Sequence, residues 1–152
     1  MAKIHWLGTG LSAIPGLKML IKNKHSVIVY NRTVDKAIEA LSGINGDYQV
    51  VSFSLKAIEQ HARAGDIVIS MLPGNFHVPV AELCLSLDTH FVSSSYISDE
   101  MRVLNEAAKE KNLCFVNEVG LDPGIDHSMS HALVDDYKAS NEFSSTNEHS
   151  FL

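Results

Sequence analysis

The earliest residues able to do chemistry are Gly8-Thr9-Gly10-Leu11-Ser12-Ala13, which end a short apolar run and open an amphipathic one. This G-x-G-x-x-A spacing cradles a dinucleotide diphosphate. Gly8 permits the tight turn, Gly10 lets backbone reach the phosphate oxygens, and Ala13 is small enough for helix to pack on strand. Leu11 and Ser12 then lie at the helix tip, where free N–H groups and the macrodipole favour negative charge. Further on, Asn31-Arg32-Thr33 closes the second apolar run. An Asp or Glu there would bind a ribose 2′-hydroxyl, whereas a guanidinium grips a 2′-phosphate with paired, charge-assisted bonds. The pattern predicts NADP(H) rather than NAD(H).

Later apolar runs end in comparable residues. Met71-Leu72-Pro73-Gly74, Ser93-Ser94-Ser95 and Glu118-Val119-Gly120 are small, polar or turn-forming. In an open α/β sheet such ends face the ligand. The serines offer hydroxyls and backbone donors near the expected nicotinamide ribose, although serines also simply terminate strands. Asp122-Pro123-Gly124 reads first as a turn in which Asp122 bonds its own backbone. Its place after the sixth apolar run gives Asp122 a second role at the crevice. His127 and His131 have metal-ligand spacing but no third ligand, so no metal is expected. No serine stands in a nucleophile elbow.

The elements that must position these residues alternate regularly. Residues 3–7, 26–30, 49–53, 66–71, 90–94 and 113–117 read as strands, most of them apolar on both faces. Residues 11–23, 34–41, 55–63, 78–87 and 99–111 read as helices, the last with Ser98 as N-cap. The expected fold is α/β: a Rossmann, doubly wound, mainly parallel six-stranded sheet over residues 1–118. A loop and a helix over 127–138 occupy residues 119–140, and residues 141–152 read as a flexible tail.

Composition agrees with one ordinary domain: 152 residues, 45% hydrophobic and 20% charged. The net charge of −6 argues against a nucleic-acid partner, and all but one unit of acidic excess lies after residue 118. No apolar run is long enough to span a membrane and no signal peptide is evident, so a cytoplasmic location is expected. Cys84 and Cys114 lack any CxxC and read as reduced core thiols.

Three segments, SMLPGNFH (70–77), SSSYIS (93–98) and above all NEVGLDPGIDH (117–127), resemble the saccharopine dehydrogenase family in its NADP-dependent, glutamate-forming branch. The resemblance covers about residues 3–138. It implies reversible reductive condensation of α-aminoadipate semialdehyde with glutamate, a small amino-acid substrate, and a homodimer in full-length members. It also implies NADP contacts at Gly10, Leu11, Asn31, Arg32, Thr33, Leu72, Ser93, Ser94 and Leu121 to Pro123. Substrate contacts fall on Ser94, Ser95 and Asp122, with Tyr96 nearby for proton transfer. Ser54 departs from the acidic residue frequent in the family. The family's substrate-binding arginine has no counterpart after Glu118, so an incomplete active site is expected. Two other readings stay open: a stand-alone, non-catalytic NADP-binding module, and a dehydrogenase of other amine conjugates, carboxynorspermidine dehydrogenase-like.

Overall fold

β-Branched and aromatic side chains favour extended backbone, and they fill the runs that become strands. In the computed structural model, which describes residues 2–140, these are β1 (Ile4–Leu7), β2 (Val27–Asn31), β3 (Tyr48–Ser52), β4 (Ile67–Ser70), β5 (His90–Ser93) and β6 (Phe115–Val116). The helices are α1 (Ile14–Lys22), α2 (Val34–Ala40), α3 (Leu55–His61), α4 (His77–Ser86), α5 (Asp99–Glu110) and α6 (Ile125–Ala139). Every strand pairing is parallel, in the order β3-β2-β1-β4-β5-β6. This is the doubly wound Rossmann sheet that the alternation predicts.

Register decides where the loops meet. Leu7 lies opposite both Tyr30 and Ser70, and Ser70 lies opposite Ser93. The residues that follow, Gly8, Asn31, Met71 and Ser94, therefore emerge along one edge. The chain winds outward from β1 to β3, then crosses to β4 on the other side of β1. A crevice opens at such a reversal.

Side chains alternate between the two faces. Ile4, Trp6, Val27 and Val29 pack on one side with Leu17 and Ile21 of α1 and Ala37 of α2. Leu7, Tyr30, Val68 and Phe91 pack on the other with Ile58, Val80, Cys84 and Met101 from α3, α4 and α5. The expectation of strands apolar on both faces holds for the central β1 and β2, which are buried almost throughout. β4 and β5 instead alternate buried and half-buried residues. The α1–α2 cluster reaches only as far as Ile69 and Met71, which leaves Val92 and Val116 half-exposed.

Other boundaries differ for local reasons. α1 starts at Ile14 because the Ala13 and Ile14 N–H groups both turn back onto the Gly10 carbonyl, at 2.9 and 3.3 Å. Among the described residues β6 is an edge strand paired only with β5, and the chain leaves it at Glu118 with φ +63°. Cys114, at this thin edge, is exposed rather than buried as expected. Cys84 is buried, and burial pushes its thiol up to about 12. α5 has the expected cap, with the Ser98 hydroxyl accepting from the Met101 N–H at 3.2 Å. α6 buries none of its residues. The tail expected at 141–152 lies outside the described residues. Among the described residues no helix is long and apolar enough to cross a membrane.

A buried polar network centres on β1. His5 is fully buried; its Nε2–H donates to Asp66 at 3.1 Å and its Nδ1 accepts from the Tyr30 hydroxyl at 2.9 Å. Asp66 also accepts the backbone N–H groups of Lys3 and Arg63, at 2.8 and 2.9 Å. Burial pushes His5 below its ordinary value and keeps it neutral, outweighing the opposite pull of Asp66. Burial works against the Asp66 carboxylate, but these hydrogen bonds prevail and hold it below the usual range.

Below about pH 6.5 the unfolded chain protonates His5 while the folded chain resists. Stability should therefore fall with pH, by up to about 1.4 kcal/mol per unit for one such group. Urea midpoints measured from pH 7.5 to 5 should show this slope, and His5→Gln should flatten it. An unchanged slope would refute the assignment of a neutral buried imidazole.

Candidate dinucleotide-binding site

The cleft at the strand ends has a volume of about 530 Å³ and runs from Gly8, Thr9 and Gly10 to Arg32 and Lys36 on one side and Leu72 and Phe76 on the other. Its floor is backbone. Gly8 has φ +94°, and a Cβ there would lie 3.0 Å from the Met71 carbonyl oxygen. The conformation favours glycine, and the space is tight. A Cβ on Gly10 would meet nothing within 4 Å, so that position opens directly onto the cleft. Ala13 is 2% exposed beneath the loop and packs in the Trp6–Leu17 cluster, as its small size predicts. Leu11 and Ser12 stand exposed above it. The absence of side chain at Gly10, with the helix tip behind it, fits a diphosphate.

Asn31 and Thr33 shape the adjacent loop: the Asn31 side-chain amide donates to the Thr33 carbonyl at 2.8 Å. Arg32 and Lys36 are exposed on the cleft rim and join none of the ion pairs among the described residues. Lys36, in the first turn of α2, is not among the residues the sequence singles out, although it lies only four positions after Arg32. Two unpaired cations here suit a phosphomonoester on the adenosine ribose. Ser54 is occupied as the N-cap of α3, accepting from the Ala57 N–H at 3.0 Å. The wall of the cleft is aromatic instead. Phe53 and Phe76 meet edge to face, with centroids 5.6 Å apart. Phe53 contributes to both core and cleft.

The far end of the crevice gathers the remaining residues. Ser93 is buried, and its hydroxyl donates to the Asn117 side chain at 2.9 Å, which ties β5 to the end of β6. Ser94 is half-buried and faces Gly120, where a Cβ would come within 3.1 Å of the Ser94 Cβ. Ser95 places its hydroxyl 3.0 Å from His77 Nε2. Tyr96 is exposed, and its phenol donates a hydrogen bond to Asp122. That bond, more than any other influence, pushes the phenol up to about 12. Leu121 is exposed and Pro123 buried, so this segment is anchored at the proline with Asp122 held outward.

The Asp122 turn forms differently from the expectation. The carboxylate that bonds the local backbone is Asp126, which accepts from the Gly124 N–H at 3.1 Å, leaving Asp122 to Tyr96. Gly124 is obligatory, because at φ +146° a Cβ would sit 2.2 Å from the Gly120 carbonyl oxygen. Glu118 clamps the facing loop by accepting the Ile97 N–H at 3.1 Å while its own N–H donates to the Ser95 carbonyl. The crevice is thus cationic where the ribose phosphate would lie and acidic at the opposite end. Among the described residues no group of three or more His, Cys, Asp or Glu could hold a metal ion.

Comparison with known proteins agrees with this geometry. Residues 4–116 match the family described as saccharopine dehydrogenase NADP binding domain. The saccharopine dehydrogenase [NADP(+), L-glutamate-forming] of Saccharomyces cerevisiae is 34% identical over 134 residues, 86% of this chain and 30% of that protein. An alpha-aminoadipic semialdehyde synthase of Arabidopsis thaliana is 36% identical over 113 residues, 72% of this chain and 10% of that one. The solved apo form of the S. cerevisiae saccharopine dehydrogenase (L-Glu forming) superposes with a TM-score of 0.75 at 30% identity, over 90% of this chain and 31% of that chain. The chain spans about a third or less of the length of these relatives. With the glycine loop, the strand order and the match over 4–116 in agreement, the chain belongs to the saccharopine dehydrogenase family, as its NADP-binding domain.

Proposed function

We propose that this chain is the cofactor-holding part of an NADP-dependent saccharopine dehydrogenase. In the complete enzyme it would serve the reversible reductive coupling of α-aminoadipate semialdehyde with glutamate. The observation that carries the reading is the pair of unpaired cations, Arg32 and Lys36, on the rim of a glycine-floored cleft. The bound nicotinamide supplies or accepts hydride. The chain's own residues bind and orient around that exchange.

Magnitudes separate two contributions to binding. A helix N-terminus contributes about 0.3–1 kcal/mol toward an exposed anion, and it meets the diphosphate of NADP and NAD alike. It cannot discriminate. Hydrogen bonds to a charged group contribute about 1.5–3 kcal/mol each, and only the 2′-phosphate receives those of Arg32. The guanidinium therefore sets the preference.

At the other end, Asp122 accepts from Tyr96 and leaves a carboxylate oxygen for an amine or imine nitrogen of the substrate. The phenol keeps its proton well above neutrality and is the donor of the pair. Ser94 and Ser95 present hydroxyls beside them. The substrate's carboxylates need cations that residues 119–140 do not supply beyond Lys138. In this reading that segment leads to a substrate domain, which also mediates any dimerisation.

Calorimetric titration tests the cofactor assignment. NADPH should bind more tightly than NADH, and Arg32→Ala should weaken NADPH by at least about 10- to 150-fold, the value of one lost charged bond, with NADH unchanged. Tighter binding of NADH by the unaltered chain would overturn it. The Tyr96–Asp122 pair is tested by titrating the phenol by NMR. Its midpoint should stand at about 12, and Asp122→Asn should bring it back toward the ordinary phenol value of about 10.

A further inference from the structure

His77, at the first position of α4, lies outside the catalytic and binding residues considered so far. Its side chain is 4% exposed and packs edge-on against Phe91, with centroids 6.4 Å apart. Nε2 reaches two groups on different loops: the Leu72 carbonyl at 2.8 Å and the Ser95 hydroxyl at 3.0 Å. Nδ1 is buried with no hydrogen-bond partner.

A carbonyl oxygen only accepts, so the proton of the neutral ring must sit on Nε2. Protonating Nδ1 as well would bury an N–H without an acceptor, which the surroundings do not offer. The tautomer is therefore fixed. Because Nε2–H is the donor, Ser95 can only accept from it, and the Ser95 hydroxyl hydrogen must point elsewhere. Ser95 lies in the loop after β5 that also carries Tyr96, the partner of Asp122, while Leu72 follows β4 on the cleft wall. One imidazole N–H thus joins the two loops that flank the nicotinamide end.

We propose that His77 is a positioning residue of this site, locking Leu72 and Ser95 at a fixed separation and turning the Ser95 hydroxyl outward as a hydrogen-bond donor. This rests on the cofactor reading given above. The hydroxyl so presented suits an acceptor such as a carboxylate or carboxamide oxygen. His77 acts through Leu72 and Ser95 and touches neither cofactor nor substrate itself.

Two probes separate the ends of the cleft: NADPH, which fills both, and adenosine 2′,5′-bisphosphate, which fills only the Arg32 end. His77→Leu should weaken NADPH by about fivefold, the value of one net hydrogen bond, and leave the bisphosphate within about twofold. His77→Gln, which restores an N–H near the Nε2 position, should recover most of the NADPH affinity. Equal loss of both probes would mean general structural damage and overturn the proposal, as would no loss of NADPH. Should the unaltered chain bind neither probe, the cofactor reading itself fails and takes this proposal with it. Nitrogen-15 NMR of the unaltered chain provides a measurement that no folding defect disturbs. His77 should show the Nε2–H tautomer, and an Nδ1–H pattern would overturn the proposal.

Discussion

Between β1 and β4 the backbones leave little room for a side chain. The Met71 carbonyl occupies the space a Cβ on residue 8 would need, at 3.0 Å, and the turn needs a positive φ as well. This contact sets how closely the first loop approaches the neighbouring strand, and so where the Gly10 face and the helix tip behind it are presented. The parallel register then brings Asn31, Met71 and Ser94 to the same edge. Larger residues at position 8 would displace the loop and the origin of α1 together.

Beyond that contact the site divides by charge. Its adenosine end presents two exposed cations, Arg32 and Lys36, which in the proposed reading would discriminate through hydrogen bonds to phosphate. Its opposite end relies on a tightly braced set: Glu118 to Ile97, Ser93 to Asn117, His77 to Leu72 and Ser95. In the proposed reading this suits two tasks. A phosphate tolerates approach from several directions, whereas transfer of hydride to one carbon demands a narrow geometry.

Much of this was legible in the sequence because the relevant signals are local. The glycine spacing, the alternation of short apolar runs with helices, Ser98 as a cap and Arg32 after β2 each lie within one or two turns of chain. What escaped depends on residues distant in sequence. Phe53 and Phe76 form one wall only after β4 has crossed to the far side of β1. His77, one residue before the helix expected at 78–87, carries no local sign of a role until Ser95 is placed beside it. Asp122 reads as a turn residue, because nothing local reveals that Asp126 takes over that duty. Cys114 looked like core because a run of strand residues says nothing about which strand ends the sheet.

The last helix has a consequence of its own. α6 carries Ile125, Met129 and Leu133, at 60%, 64% and 68% exposure, along one stripe and buries nothing. Tertiary packing supplies most of the stability of a helix, and an isolated one of this length is marginal in water. Its amide protons should therefore trade with deuterium long before those of α1 or α4, making a slow central layer and a fast outer arm within one chain.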